Sequence, residues 1–146
     1  MLLKAWSPSS EVQRLVILTP FPKIRDKTLS ELYFATDFHL VNPKKIGDRL
    51  GITLSQKFVI FTEKIKTQTV GFQASLIVHE LTHVAQQNHY GWIGFMGTYI
   101  GQWMRSGFSY DKMLEKGLEN EAYDNERKFA NILVAQGYPC SYSKLA

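Results

Sequence analysis

The chain has 146 residues, of which 45% are hydrophobic and 21% are charged, and these proportions are typical of one ordinary globular domain. Its 17 Lys and Arg residues are scattered and give a formal net charge of only +4, which argues against a nucleic-acid footprint. The single cysteine, Cys140, excludes an intramolecular disulfide.

Strand patterns dominate the first half of the chain. Residues 12–18 are rich in β-branched side chains and are followed by prolines, which predicts a strand. A short helix is predicted over residues 26–34. Two more strands are predicted over residues 38–41 and 57–62, with a break around Gly51 between them.

Helical patterns dominate the second half. Apolar and polar residues recur at intervals of three and four after Thr69, which predicts a helix that Gly91 ends. A second helix is predicted over residues 92–105 and a third over 112–136, where Gly137 stops it.

Strands that precede helices indicate an α+β fold rather than alternating units. We expect one domain over residues 1–146, with a small N-terminal, partly antiparallel sheet packed on the first of these helices. Two further C-terminal helices would close the far side. No apolar stretch approaches the roughly 18 residues of a membrane span, and no signal peptide is recognisable. A cytoplasmic location is therefore expected, with export by a non-classical route left open.

The first of these helices carries the chemistry, in a His-Glu-x-x-His motif. His79 and His83 are four residues apart, so on a helix they project from one face and can reach one tetrahedral Zn²⁺. Glu80 would point beside the metal, where it can take a proton from zinc-bound water. The alternative is an ordinary helix on which both histidines face solvent.

A catalytic zinc needs a third protein ligand and an open position. The candidates are Glu119 and Glu121, of which only one can face the metal because residues two apart diverge by about 200° on a helix. Glu119 is favoured because Ala122 and Tyr123 follow it on its own face, and a small residue there permits close helix packing. Glu121 stays open as the alternative third ligand or as a residue that supports one.

Residues 78–87, VHELTHVAQQ, and 119–123, ENEAY, resemble the gluzincin metallopeptidases, whose smallest members are the single-domain minigluzincins. The chain looks most similar to the metallopeptidase domains associated with bacterial contractile injection systems, in which a strand-like segment also precedes the motif helix. The resemblance spans residues 51–123, about half the chain.

This resemblance implies a zincin-like fold, with Zn²⁺ bound by His79, His83 and one of the two glutamates, and with Glu80 as general base. Thermolysin-like gluzincins carry an Asp four residues after the ligand glutamate, which orients a zinc-bound histidine. Here that position holds Tyr123 or Asn125, depending on which glutamate is the ligand.

The predicted function is zinc-dependent hydrolysis of a polypeptide substrate, in which Glu80 activates the zinc-bound water. The sheet edge near residues 58–62 is predicted to hold the peptide as an added strand. Two alternatives stay open: a zinc-binding structural or interaction module without turnover, and a secretion-system effector or cargo protein with that apparatus as partner.

Other polar residues carry less information. No residue is singled out as the stabiliser of an oxyanion. His39 lies within an apolar strand pattern, which predicts a structural histidine. The candidates for the oxyanion role are His89, Tyr90, Tyr99 and Tyr110.

Overall fold

The computed structural model describes residues 4–21, 24, 36–42, 50–55, 58–105 and 118–140. These residues form an α+β arrangement in which a mixed sheet and three α-helices share one hydrophobic core. The core joins the buried faces of the first helix, the sheet and the two long helices, as the class predicted from the sequence requires.

Four strands form the described sheet, in the order β1-β2-β4-β3. They are β1 Lys4–Ala5, β2 Asp37–Val41, β3 Gly51–Ser55 and β4 Phe58–Thr62. The pair β2 and β4 is parallel, whereas β1 with β2 and β3 with β4 are antiparallel. The strands predicted over 38–41 and 57–62 are thus confirmed over the residues that the structure describes, of which residue 57 is not one, and the sheet is partly antiparallel as expected.

The sequence does not reveal β3, because Gly51 and its polar neighbours look like a break between strands. Gly51 is instead the first residue of β3. A residue with a side chain would not fit there without a shift, because its Cβ would lie 2.8 Å from Cδ1 of Phe61 on β4. Strand β3 also corrects the predicted peptide-binding edge at 58–62. β4 lies between β2 and β3, so both of its edges are already paired, and β1 and β3 are the two outer strands of the described sheet.

The predicted strand at 12–18 is wrong, because this segment forms helix α1, Ser10–Ile17. The Oγ atom of Ser9 caps the helix by accepting a hydrogen bond from the N–H of Val12, at 3.3 Å. Val12, Leu15 and Val16 are buried and recur at helical spacing, so core burial outweighs the preference of β-branched residues for strands.

Helix α2, Val70–Arg105, is a single helix of 36 residues. The start predicted after Thr69 is confirmed, but the stop at Gly91 and the separate helix over 92–105 are wrong. A glycine inside a helix costs about 1 kcal/mol relative to alanine, which does not end a helix by itself. Among the described residues no helix is long and apolar enough to cross a membrane, α2 included.

Helix α3, Leu118–Ala135, follows the predicted third helix over the residues that the structure describes. It ends as predicted: Gly137 has a φ of 93°, and the N–H of Tyr138 donates to the carbonyl of Leu133 at 2.9 Å. The predicted helix over 26–34 and the first turns predicted over 112–117 lie outside the described residues.

The two long helices pack against each other in antiparallel fashion. Gln86 of α2 contacts the first residue of α3, and Gly71 near the start of α2 lies against Pro139, beyond the end of α3. Ala122 is fully buried and follows Glu119 by three residues, so the two lie on the same face of α3. The antiparallel packing of α2 and α3 places the Glu-rich start of α3 beside the motif of α2.

Candidate metal centre

The His-Glu-x-x-His motif lies in the most deeply buried part of α2. Every residue from 71 to 87 is buried, because α1, the sheet and α3 cover this helix together. His79 and His83 are each only 5% exposed, and Glu80 is 2% exposed. The alternative of two solvent-facing histidines is therefore wrong.

The three motif side chains converge. Potential ligand atoms of His79, Glu80 and His83 all lie within 4.8 Å of one another. The two imidazole rings are 5.2 Å apart between centroids and meet edge to face, as two side chains one helical turn apart can do.

Helix α3 brings Glu119 to the same place. Its Oε1 contacts Nε2 of His83 and lies 3.8 Å from Nε2 of His79, and the side chain is buried. Glu121 is directed elsewhere: its Oε1 accepts a hydrogen bond from Nε2 of Gln86 at 2.8 Å. The two glutamates thus occupy different positions around the site, as their separation on a helix requires.

The other ring nitrogen of each histidine also has a partner. Nδ1 of His83 lies 2.9 Å from Oε1 of Gln86 in a hydrogen bond. Nδ1 of His79 lies 2.9 Å from Oε1 of the buried Glu126, an ion-pair contact whose geometry is not that of a hydrogen bond. Neither partner has a role in the sequence-based prediction. Glu126 is nevertheless discoverable by periodicity, because it follows Glu119 by seven residues and seven residues return to nearly the same helix face.

The two residues expected to orient a histidine have different contacts. The ring of Tyr123 meets that of His79 edge to face, with centroids 4.4 Å apart. Asn125 instead donates from Nδ2 to Oγ1 of Thr82 at 3.2 Å. The carboxylate beside Nδ1 of His79 is that of Glu126, which follows Glu119 by seven residues rather than four.

Burial and charge shift the protonation of the site in opposite directions. Burial alone would lower the pKa of His79, but its contacts with the carboxylates of Glu119 and Glu126 raise that pKa to about 10. Burial would raise the pKa of Glu119, but the contacts with His79 and His83 hold it well below its usual range. In the metal-free protein this is a charge-paired cluster.

Glu80 has a different environment. Burial raises the pKa of its carboxyl group, and the charges of His79 and His83 only partly oppose this rise. Its Oε2 is buried and has no hydrogen-bond partner among the described residues. Buried polar atoms of proteins are normally paired, so this oxygen is available to accept a hydrogen bond from a ligand or water.

Strand β3 passes beside this glutamate. Oγ1 of Thr53 donates to the carbonyl oxygen of Glu80 at 3.2 Å, and a Cβ on Gly51 would lie 3.4 Å from Cγ of Glu80. Strand β3, one of the two outer strands of the described sheet, thus lies directly beside the motif and is hydrogen-bonded to it.

The donor set suits a metal ion of the zinc type. Two imidazole nitrogens and a carboxylate oxygen are the ligands that catalytic Zn²⁺ uses, and an oxygen of Glu126 or Gln86 lies 2.9 Å from the other nitrogen of each imidazole. The unpartnered oxygen of Glu80 lies in the same cluster. The residues present therefore fit a metal ion.

Of the remaining candidates, the structure describes the side chain of His39. His39 lies in β2 and stacks on Phe58 with ring centroids 4.5 Å apart, so it packs within the sheet. The side chains considered for oxyanion stabilisation lie outside those that the structure describes, namely His89, Tyr90, Tyr99 and Tyr110.

Comparison of the chain with protein-family models, with curated proteins and with solved structures found no match.

Proposed function

We propose that this chain is a zinc-dependent peptidase of the gluzincin type, with His79, His83 and Glu119 as metal ligands and Glu80 as general base. The observation that carries the proposal is the position of Glu119, whose carboxylate lies between the Nε2 atoms of both motif histidines. Two helices far apart in sequence thus supply three converging ligands of the types that catalytic zinc requires.

A bound Zn²⁺ would lower the pKa of a water molecule and polarise the scissile carbonyl group. Glu80 would accept the proton of that water at its unpartnered Oε2 and deliver it to the leaving amine. Its raised pKa supports this role, because a general base works best when its pKa is near the operating pH.

Strand β3 is the proposed site for the peptide. Within the described sheet it pairs on one side only, with β4, and its Thr53 is bonded to the backbone of Glu80. An extended peptide added to its outer edge would gain main-chain hydrogen bonds beside the motif. This places the substrate one strand further out than the sequence-based prediction did.

The gluzincin and zincin-like assignments are part of this proposal. They are supported by a helix-borne His-Glu-x-x-His motif, a ligand glutamate on a later helix and an antiparallel outer strand next to the motif. The spacing of the carboxylate beside His79 is this chain's own variation on the gluzincin pattern, because Glu126 follows Glu119 by two helical turns.

The decisive experiment compares wild type with Glu80→Gln. Both proteins are assayed for zinc content and for cleavage of casein and of a peptide library. Glu63→Gln is the matched control, since Glu63 is a partly exposed glutamate remote from the motif in sequence, paired with Lys4 at 3.7 Å. Glu80→Gln should retain zinc and lose about 10²–10⁴-fold in rate, because an amide cannot accept the proton.

Two outcomes would contradict the proposal in different ways. Full activity in a zinc-replete Glu80→Gln protein would remove Glu80 from the mechanism. Stoichiometric zinc in the wild type without any cleavage would favour the module without turnover.

A further inference from the structure

The contacts of Gln86 connect one motif histidine with the start of α3. Its Oε1 lies 2.9 Å from Nδ1 of His83, while its Nε2 donates to the carbonyl oxygen of Leu118 at 3.0 Å and to Oε1 of Glu121 at 2.8 Å. Gln86 is only 2% exposed, so these contacts are made away from bulk water.

Donor and acceptor chemistry leaves one orientation for this amide. A backbone carbonyl oxygen can only accept, and an ionised carboxylate can only accept, so Leu118 and Glu121 both require the NH₂ side of Gln86. The amide oxygen must then face His83, and an oxygen facing Nδ1 requires a proton on Nδ1.

The proton on Nδ1 decides which nitrogen of His83 can bind a metal. A neutral imidazole carries one proton, so a proton held at Nδ1 leaves the lone pair at Nε2. Nε2 of His83 is the atom that contacts Glu119, inside the cluster.

We propose that Gln86 is a positioning residue that fixes the metal-binding tautomer of His83, and that Glu121 serves the site by fixing the amide of Gln86 rather than by binding metal. This inference rests on the proposed function only in taking His83 as a ligand. The same amide binds the carbonyl of Leu118, the residue before Glu119, so it also holds the start of α3 against α2.

Replacing each glutamate with glutamine separates a ligand from a positioning residue. Glu119→Gln should lose most of the zinc affinity, because a neutral amide replaces a charged ligand. Glu121→Gln should bind zinc within about threefold of wild type, because the oxygen of its amide still accepts from Gln86. The two variants make the same chemical change only two residues apart.

Replacing Gln86 tests the tautomer directly. Gln86→Leu should weaken zinc binding by about 10–100-fold, the usual effect of removing a partner of a ligating histidine. Gln73→Leu is the matched control, because Gln73 is also a buried glutamine of α2, and its Nε2 donates to the carbonyl of Gln68 at 3.0 Å, away from the motif.

A spectroscopic measurement supplies a readout that general damage to the fold would not change. In protein labelled with ¹⁵N and loaded with ¹¹³Cd, the metal should couple to Nε2 of His83, and Nδ1 should carry a slowly exchanging proton. Gln86→Leu should abolish the protection of that proton. The same protection measured in metal-free wild-type protein tests the contact with Gln86 even if no metal binds.

The possible failures are distinguishable. Wild type that binds neither Zn²⁺ nor Cd²⁺ contradicts the proposed function, whereas a protected Nδ1 proton would still support the contact. Coupling of ¹¹³Cd to Nδ1 of His83, or emptying of the site by Glu121→Gln with retention in Glu119→Gln, would overturn the inference. Equal loss of affinity in Gln86→Leu and Gln73→Leu would overturn it as well.

Discussion

Zinc binding near neutral pH should release a proton from His79. In the metal-free protein, carboxylate oxygens of Glu119 and Glu126 lie 3.8 and 2.9 Å from its two ring nitrogens, and these contacts raise its pKa to about 10. The imidazolium is then the dominant form at neutral pH, whereas a metal ligand must present an unprotonated nitrogen. Raising the pH toward 10 removes the competing proton, so zinc binding should become stronger.

The expected size of the effect follows from one proton per zinc. Below the pKa of His79, zinc affinity should rise about tenfold per pH unit, or about 1.4 kcal/mol, and more if another group also ionises. Calorimetric titration in two non-coordinating buffers with different heats of ionisation measures the protons released. Competition with a chelator at several pH values between neutrality and about pH 9 measures the slope independently.

A variant tests the cause of the effect. Glu126→Leu removes one of the carboxylates that stabilise the imidazolium, so the pKa of His79 should fall and the pH dependence should flatten near its upper end. Asp124→Asn is the control, because Asp124 pairs with Lys128 at 2.8 Å on the exposed part of the same helix. Zinc binding that releases no proton at any pH in this range would refute the reasoning.

Three further outcomes are expected. Wild type should bind about one zinc per chain by elemental analysis, and alanine in place of either motif histidine should abolish this, because each supplies one of three ligands. Phe129→Ala should lower the free energy of unfolding by about 3–5 kcal/mol in denaturant titrations, since Phe129 is fully buried, whereas Ile132→Ala, at 37% exposure, should cost much less. Gly51→Ala should reduce cleavage more than zinc content, because its methyl group would press on Phe61 and lie near Glu80; unchanged activity would argue against a role for β3.

Local patterns account for the elements that the sequence predicts correctly. The apolar runs at 38–41 and 58–62 form β2 and β4, and the helical spacing after Thr69 marks the start of α2. The end of α3 is likewise local, because Gly137 adopts a positive φ that a glycine accepts without strain. In each case the residues that decide the structure are adjacent in sequence.

The predictions are wrong where the structure of a segment depends on contacts with residues distant in sequence. Residues 12–18 have the composition of a strand, but the cap at Ser9 and the burial of one helical face against α2 determine a helix. Gly91 has the composition of a helix end, yet α2 continues to Arg105. Strand β3 cannot be predicted from its own residues, because the reason for a glycine at position 51 is its close approach to Phe61 on β4.

The difference between local patterns and distant contacts also explains which residues of the site can be predicted from the sequence. The spacing of His79 and His83 is a property of one helix, so the sequence predicts their convergence, and the structure confirms it as a possible metal cluster. The partners Glu126 and Gln86 depend on how α2 and α3 pack, which no single helix specifies. The helix faces of Glu119 and Glu121 are also a property of one helix, and the two side chains have different contacts: Glu119 lies at the motif histidines, whereas Glu121 accepts from Gln86.

The antiparallel packing of α2 and α3 gives a physical reason for the unusual spacing of Glu126. His79 lies one turn before His83 on α2, so a residue on α3 that reaches the far side of His79 must come after Glu119. Seven residues advance the helix by about 10.5 Å and return to nearly the same face, so Glu126 approaches from further along the axis than a residue one turn on. The position four residues after Glu119 is occupied by Tyr123, whose ring meets that of His79 edge to face.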